Sequence, residues 1–234
     1  MIDDSTDLAE LIRSMGNHCL ILARHGETEW NAQGRLQGQR DIELNTRGRS
    51  QARAIAQLLR DVPVDPIHTS VLRRCRQTAR LIAEASVGRP GLVCSDLLKE
   101  TALGVLEGES KDRQSTKELA RHYKDFSRDE IHHRVPGGEN LHDVYARVQR
   151  FFSDHIHLVE SARCHLIVGH RNVNKMIVKH LLGLSFDEGL RVEQENQRVY
   201  LWFGASTQLW SCWVDGERHQ FARGYATTTG PSYA

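Results

Sequence analysis

The amino-acid sequence predicts an α/β fold: a three-layer α/β/α sandwich with a mostly parallel central sheet and an inserted lid segment. Two short apolar runs, residues 20–23 and 165–169, have the length and composition of buried strands. Between and after them, apolar residues recur at helical spacing. Strands that alternate with helices are typical of a sheet covered by helices on both faces.

Short apolar runs and helical periodicity define the elements in chain order. The predicted strands cover residues 20–23, 67–69, 92–94, 165–169, 199–203 and 209–214, of which the last two form an antiparallel hairpin. The predicted helices lie within residues 1–17, 46–59, 71–85, 141–151 and 173–181. Thr46 and Ser70 are the candidate N-caps of the second and third helices, since a hydroxyl oxygen at that position can accept from a free backbone N–H.

These elements predict a single domain over residues 1–217, with one segment of different character inside it. Residues 101–138 are charged, poor in β-branched residues and only weakly periodic. We expect them to form a lid rather than a unit with its own core. Residues 218–234 have the composition of a C-terminal tail, and no element is predicted there.

Charge balance and hydropathy exclude several classes of protein. The 234 residues include 31 Lys and Arg against 30 Asp and Glu, so the chain lacks the basic excess of a general nucleic-acid binder. No run of about 18 apolar residues predicts a membrane span. The acidic N-terminus does not resemble a signal peptide. We therefore expect a cytoplasmic protein with no nucleic-acid or membrane partner.

The cysteines and the adjacent histidines predict neither a disulfide framework nor a metal site. The five cysteines are scattered, odd in number and never in a C-x-x-C pair. His132 and His133 are neighbours in sequence and so point to different sides of a helix or strand, which disfavours a shared ion. No cofactor is predicted.

Two of the predicted strands end in the same way, with an apolar run followed by a histidine. Arg24 and His25 follow the first run, and His170 follows residues 165–169. If both strands are central and parallel, the two imidazoles lie at one edge of the sheet, where ligands bind in open α/β folds. Gly26 lets the backbone approach a ligand closely, because glycine has no Cβ.

Several separated motifs resemble those of the histidine phosphatases, the phosphoglycerate mutase-like proteins. Residues 24–31 match Arg-His-Gly-x-Thr-x-x-Asn, and residues 70–79 match Ser-x-Leu-x-Arg-Ala-x-Gln-Thr-Ala with Cys75 in place of the alanine. Residues 98–108 match Leu-x-Glu-x-x-x-Gly-x-x-Glu-Gly. The resemblance extends over about residues 20–182 and implies the α/β fold already predicted.

The resemblance also implies a site for a phosphomonoester. The residues alone leave the roles of the two histidines interchangeable; the resemblance makes His25 the nucleophile that forms a phosphohistidine, and His170 the group that holds the phosphoryl group in the transition state. Glu100 falls at the position of the general acid, with Glu107 as the competing carboxylate. Arg24 and Arg74 would offer guanidinium donors to phosphate oxygens and belong to the catalytic set. The candidate phosphate- and substrate-binding residues are Arg24, Asn31, Gln37, Gly38, Arg74, His170 and Arg171.

Three positions depart from the family pattern and bear on substrate choice, and a fourth lies in a turn that resembles the family's. Arg171 stands where the family usually has glycine, and we expect it to supply a further cation to an anionic substrate. Thr101 and Ala102 stand where the glycolytic mutases carry a basic and aromatic sequence, which favours hydrolysis over phosphoryl transfer between bound substrates. Glu139 lies in a turn that resembles the family's Pro-Gly-Gly-Glu-Ser and is expected to cap the next helix.

The sequence therefore predicts a metal-independent phosphomonoesterase that acts on a small phosphorylated, anionic metabolite. It leaves open a phosphoglycerate-type mutase, a phospho-ligand-binding protein without turnover, and a protein phosphatase. The oligomeric state is also open, with a homodimer among the alternatives.

Overall fold

The central feature of the structure, a computed structural model, is a seven-stranded sheet. The structure describes residues 8–15, 18–155, 158, 164–204, 208–216 and 218–227. The strands are β1 (Cys19–Arg24), β2 (Val64–Ser70), β3 (Leu92–Ser95), β4 (Cys164–Gly169), β5 (Arg198–Phe203), β6 (Gln208–Asp215) and β7 (Arg218–Arg223). They lie side by side in the order β3-β2-β4-β1-β5-β6-β7.

Helices connect the strands. In the described part of the chain the α-helices are α1 (Leu8–Ser14), α2 (Glu29–Ala32), α3 (Thr46–Leu58), α4 (Arg73–Ala85), α5 (Lys117–Arg128), α6 (Leu141–Asp154), α7 (Arg171–Leu182) and α8 (Phe186–Arg191). Short 3-10 helices cover Asp96–Leu98 and Gly104–Leu106. None of these described helices combines the length and the apolarity that crossing a membrane requires.

Strands β1 and β4 are adjacent and parallel in the middle of the sheet. Cys19 lies opposite Cys164, and Arg24 lies opposite Gly169. Both strands are buried on both faces, which explains why each is a nearly continuous apolar run in the sequence. Because their carboxyl ends meet at one edge of the sheet, the residues that follow them are brought together.

Alternate residues of β1 face different cores, and this alternation creates the three layers. Ile21 belongs to a core that also contains Ile55 of α3 and residues of α4. Leu22 belongs to the opposite core, with Val148 of α6 and residues of α7. Strands β3, β2, β4 and β1 are parallel, and β5 to β7 continue the sheet in antiparallel fashion, including the predicted hairpin β5–β6. The predicted α/β/α fold is confirmed.

The segment 101–138 contains α5 and a small apolar cluster. Phe126 of α5 packs in this cluster with Leu103, Leu106 and Val135 of the same segment. Leu36, from the loop after β1, completes it. The cluster therefore joins the segment to the loop that follows His25, and the opening and closing of this segment as a lid remains a prediction.

Two N-caps lie one residue away from the predicted positions. Asn45, not Thr46, caps α3, because its side-chain oxygen accepts a hydrogen bond from the backbone N–H of Gly48 at 2.8 Å. Asn140, not Glu139, caps α6 in a reciprocal capping box. Asn45 precedes the predicted residue and Asn140 follows it, and in each case the short asparagine side chain accepts a hydrogen bond from the third helical N–H.

Helix α4 begins at Arg73, two residues later than predicted, and Ser70 does not cap it. Its N-cap position is Leu72, which makes no side-chain cap. The carboxylate of Asp41 instead accepts the backbone N–H of Arg73 at 2.6 Å. A loop distant in sequence thus supplies the capping group, which local sequence reasoning could not identify.

Residues 218–223, which sequence analysis assigns to a tail, form strand β7. The strand pairs with β6 in antiparallel register, with Arg218 opposite Asp215. It lies at the edge of the sheet, and its side chains are exposed or only half-buried. An edge strand of this kind has little apolar alternation, so its pattern in the sequence is weak.

Candidate active site

The two histidines that follow β1 and β4 lie next to each other. The ring centroids of His25 and His170 are 5.1 Å apart, and the ring planes are inclined by 65°. Both side chains are buried. The fold thus brings together two histidines that are 145 positions apart in the sequence.

One ring nitrogen of His25 is engaged by its own neighbour. Nδ1 lies 2.7 Å from the carbonyl oxygen of Gly26. Because a carbonyl oxygen can only accept, Nδ1 carries the proton and the lone pair is on Nε2. Burial, followed by the charges of Arg74 and Arg24, lowers the pKa of His25 well below its ordinary value. The imidazole is therefore neutral near pH 7 and has a free lone pair on Nε2.

Close packing requires a glycine immediately after His25. A Cβ at Gly26 would lie 2.2 Å from the carbonyl oxygen of Gly48 in α3. The backbone N–H of Gly26 donates to the hydroxyl of Thr78 in α4 at 3.1 Å. The chain after His25 is thus held against two helices, which fixes the position of the imidazole.

Arg74 is almost completely buried and is oriented by three hydrogen bonds. Its Nε donates to Nδ1 of His170 at 3.3 Å. Its Nη1 donates to the carbonyl of Arg40 at 2.7 Å, and its Nη2 donates to that of Gly38 at 2.9 Å. A guanidinium has five N–H groups, so one N–H on each Nη is left after these contacts with described residues. Arg74 lines the cleft, and guanidinium N–H groups suit the binding of a phosphate.

The contact with Arg74 also determines the tautomer of His170. Arginine only donates, so Nδ1 of His170 accepts, and the ring proton is on Nε2. Burial, followed by the charge of Arg74, lowers the pKa of His170 well below its ordinary value. His170 is therefore a neutral ring with an N–H donor, whereas His25 presents a lone pair.

Cys75, which stands in place of the alanine of the motif, contacts the same ring. Its Sγ lies 3.4 Å from Nε2 of His170 and donates to the carbonyl of Gly169 at 3.2 Å. Burial raises the pKa of the Cys75 thiol well above its ordinary value. The thiol is thus neutral and packs against the ring.

A cleft of about 450 Å³, including its solvent-open mouth, lies beside these groups. Eight of the nine predicted site residues line it, and the ninth, His170, contacts two of the lining side chains, those of His25 and Arg74. The eight are Arg24, His25, Asn31, Gln37, Gly38, Arg74, Glu100 and Arg171.

Two further cations that the sequence analysis missed also line the cleft, Arg35 and Lys111. The guanidinium of Arg35 stacks on the ring of Trp30 at 4.0 Å and donates from Nε to the carbonyl of Gly108 at 2.9 Å. Burial, followed by the charges of Arg171 and Arg24, lowers the pKa of Lys111. With Arg24, Arg74 and Arg171, the lining has five cationic side chains against the one carboxylate of Glu100.

Backbone and capping contacts orient the remaining predicted groups. Nη1 of Arg24 donates to the carbonyl of Gln194 at 2.7 Å. The side-chain oxygen of Asn31 accepts the backbone N–H of Thr28 at 3.2 Å, so its NH₂ group remains the donor end of the amide. One carboxylate oxygen of Glu100 accepts the backbone N–H of Thr101 at 2.9 Å.

The acidic and histidine residues that the sequence treated as structural lie away from the cleft lining. Glu139 forms an ion pair with Arg147 at 2.8 Å and accepts the backbone N–H of Ala102. His132 contacts Asp129 on the surface. No group of three or more candidate metal ligands occurs among the residues that the structure describes.

Comparison with known proteins identifies the family. The sequence model of the histidine phosphatase superfamily (branch 1) matches residues 20–209. The chain belongs to this superfamily. Among histidine phosphatase relatives, the probable phosphoglycerate mutase GpmB of Enterobacter sp. (strain 638) is 36% identical over 198 residues, which are 83% of this chain and 89% of that protein. The 2,3-bisphosphoglycerate-dependent phosphoglycerate mutase 2 of Gloeobacter violaceus is 34% identical over 178 residues, 75% of this chain and 81% of that protein.

Solved histidine phosphatase structures have the same fold. A putative alpha-ribazole-5'-P phosphatase from Escherichia coli K-12 superimposes with a TM-score of 0.68 at 24% identity, over 92% of this chain and 100% of that chain. A mycobacterial glucosyl-3-phosphoglycerate phosphatase superimposes with a TM-score of 0.67 at 25% identity, over 91% of this chain and 99% of that chain. The two superpositions thus show the same fold over 92% and 91% of this chain.

Proposed function

We propose that this protein is a metal-independent phosphomonoesterase that hydrolyses a small phosphorylated metabolite through a phosphohistidine on His25. The observation that carries the proposal is the state of the two rings. His25 presents a lone pair on Nε2, and the hydrogen bond from Arg74 makes His170 an N–H donor. The centroids of the two rings are 5.1 Å apart. A nucleophile and a donor on opposite sides of a transferring group are what phosphoryl transfer requires.

In the first step, the phosphate dianion binds between the guanidinium groups of Arg24 and Arg74, with the amide of Asn31 as a neutral donor. Nε2 of His25 attacks phosphorus as the bond to the ester oxygen breaks, and the carboxyl group of Glu100 gives its proton to the leaving alkoxide. The N–H of His170 donates to a non-bridging oxygen in the transition state. The products are the alcohol and a phosphohistidine.

In the second step, water attacks phosphorus and the bond to Nε2 of His25 breaks. The carboxylate of Glu100 takes the proton from the water, which restores the acid for the next cycle. Inorganic phosphate then leaves. The arginines of the cleft supply the positive charge that a metal ion supplies in other phosphatases, so the proposed reaction needs no cofactor.

The five cations of the cleft support a substrate with a second anionic group. Arg24 and Arg74 suffice for one phosphate, whereas Arg35, Lys111 and Arg171 extend the positive surface along the lining. Electrostatic complementarity of this kind selects charged ligands and suppresses neutral ones. A small metabolite with a phosphate and a carboxylate or a second phosphate fits this lining.

A phosphoglycerate-type mutase is the second candidate, and the names of the relatives favour it. The two curated relatives are named as mutases, whereas the two structural neighbours are named as phosphatases. Thr101 and Ala102 favour hydrolysis, because these small side chains provide neither a basic nor an aromatic contact to the substrate. A mutase needs such contacts to keep its substrate bound until the phosphoryl group is transferred back.

One assay distinguishes the two candidates. The protein is incubated with 3-phosphoglycerate, and both free phosphate and the isomeric 2-phosphoglycerate are measured over time. The phosphatase proposal expects phosphate to be the main product; isomer formed faster than phosphate would overturn it in favour of the mutase. A panel of phosphorylated metabolites and a phosphopeptide, assayed in parallel, identifies the substrate class.

The His25→Ala variant is the control for the nucleophile. We expect it to lose activity by about 10³-fold or more, because the covalent step is removed. Acid-labile, base-stable phosphate on the parent protein after rapid quenching, absent from His25→Ala, supports the intermediate. Phosphate release by the variant at the parental rate would contradict the assignment.

A further inference from the structure

Glu107 does not line the cleft, but its carboxylate contacts the turn at residues 37–40 that forms one wall of it. The side chain is only 12% exposed. Its Oε1 accepts the backbone N–H groups of Gln39 at 2.9 Å and of Leu103 at 3.2 Å. Its Oε2 pairs with Nε of Arg40 at 3.2 Å. The carboxylate of Glu107 therefore contacts both the turn and Leu103, a residue of its own segment, 101–138.

The turn is shaped to receive this carboxylate. Gly38 has φ of +49°, in the left-handed region that favours glycine. A Cβ on Gly38 would lie 2.2 Å from Oε1 of Glu107. Glycine at this position thus satisfies both the backbone conformation and the close approach of the carboxylate.

The other side of the turn holds two groups of the proposed reaction. The carbonyl oxygens of Gly38 and Arg40 accept Nη2 and Nη1 of Arg74. The side-chain amide of Gln39 donates to the carbonyl of Glu100 at 3.0 Å. The conformation of residues 38–40 therefore determines where the phosphate-binding guanidinium and the backbone of Glu100 are held.

We propose that Glu107 is a positioning residue that sets the turn at residues 37–40, and through it the orientation of Arg74 toward the phosphate. The inference rests on the proposed function, because it assigns Arg74 to the phosphate. It goes beyond that function by placing the control of phosphate affinity on a carboxylate outside the cleft.

The same contacts argue against Glu107 as an alternative proton donor. Both of its carboxylate oxygens are occupied by donors, two of them backbone N–H groups and one a guanidinium. In all three contacts the carboxylate of Glu107 is the acceptor.

The test measures the binding of inorganic phosphate to the full chain by calorimetry. Glu107→Ala removes all three contacts, and Glu107→Gln keeps an acceptor oxygen but loses the charge opposite Arg40. Glu109→Gln is the matched control, because the Glu109 carboxylate accepts from Ser115 and is two positions away. Thermal unfolding of each variant confirms that it is folded.

We expect Glu107→Ala to weaken phosphate binding by about 10-fold, Glu107→Gln by about 3-fold, and Glu109→Gln to bind as the parent does. In turnover, KM should rise more than kcat falls, and by the same factor for alkyl and aryl phosphates. Phosphate affinity of a folded Glu107→Gln and Glu107→Ala within twofold of the control would overturn the proposal. A loss of kcat confined to alkyl phosphates would also overturn it, because that pattern marks a proton donor.

Gly38→Ala provides an independent variant, because its new methyl group would displace the carboxylate while Glu107 remains present. We expect the same loss of phosphate affinity, and normal affinity in a folded Gly38→Ala protein would contradict the proposal. Binding of phosphate is measured without turnover. A protein that binds phosphate in the expected order among variants but hydrolyses no ester would therefore refute the proposed phosphatase activity and leave the positioning role supported.

Discussion

Nε of Arg74 donates a hydrogen bond to Nδ1 of His170 at 3.3 Å. Through this contact the guanidinium charge of Arg74 acts directly on the imidazole of His170. The same bond orients the guanidinium and decides which nitrogen of His170 carries the proton. Arg74 also contributes, after burial, to the low pKa of both histidines. One arginine thus acts on both rings as well as on the predicted phosphate position.

Replacement of Arg74 should change the pH dependence of activity. Arg74→Gln removes a cation that lowers the pKa of His25, so this pKa should rise toward its ordinary value. The protonated ring has no lone pair, and the acid limb of kcat/KM should therefore move to higher pH, with a fall of about 10² to 10³ in kcat/KM at pH 7. The measurement is a pH series of kcat/KM, with Arg73→Gln, at the exposed neighbouring position, as the control. An acid limb at the parental pH would contradict the coupling.

Replacement of Glu100 should affect esters according to their leaving group. Glu100→Gln cannot donate a proton, and we expect alkyl phosphates to be cleaved about 10² to 10⁴ times more slowly. An ester such as 4-nitrophenyl phosphate should suffer less, because its leaving group needs little protonation. Single-turnover release of alcohol and nitrophenol is compared in the variant, the parent and Glu109→Gln. Equal losses on both esters would rule out the role of general acid.

Replacement of Arg171 should affect only substrates with a second anionic group. Arg171→Gly, which restores the residue usual in the family, should raise KM for 3-phosphoglycerate about 10-fold, since one charged contact is lost. KM for phenyl phosphate, which has one anionic group, should be unchanged. Steady-state kinetics on both substrates test this expectation. Unchanged KM for both would remove Arg171 from the binding surface.

A buried ionisable pair between α7 and the 101–138 segment should make stability depend on pH. Burial raises the pKa of Glu130, and burial together with the charge of Arg171 lowers the pKa of Lys175. Nζ of Lys175 also donates to the carbonyl of Leu190. Lys175→Met removes the cation that opposes the rise in the pKa of Glu130, and we expect the free energy of unfolding to fall by about 3 kcal/mol at pH 7.

The sign of the pH effect follows from the raised pKa of Glu130. A carboxyl whose folded-state pKa is raised favours the folded protein at low pH, and this contribution is lost as the pH rises through the folded-state value. Lys175→Met should therefore lose less stability at pH 5, where Glu130 is neutral, than at pH 7, where Glu130 begins to ionise. Urea unfolding at both pH values, with Lys117→Met on the surface as the control, provides the measurement. A larger loss at pH 5 would contradict the pairing.

Local patterns were sufficient to predict the elements on which the site is built. Strands β1 and β4 are buried on both faces, so their sequences are continuous apolar runs, and the polar residues that end them stand out. The motif register likewise selected Arg74 among the four arginines of α4, and the structure places it against His170. Each of these predictions depended on a sequence pattern contained within a few consecutive residues.

The other components of the site depend on contacts between segments that share no local pattern. Asp41 caps α4, and Lys111 of the 101–138 segment reaches the cleft. Glu107 contacts the turn at residues 37–40 across 68 positions of sequence. By itself, the sequence determined which strands are buried and which residues follow them, because burial sets the spacing of apolar residues. Only the tertiary structure decided which loops meet over those strand ends, because the packing of distant segments leaves no period in the chain.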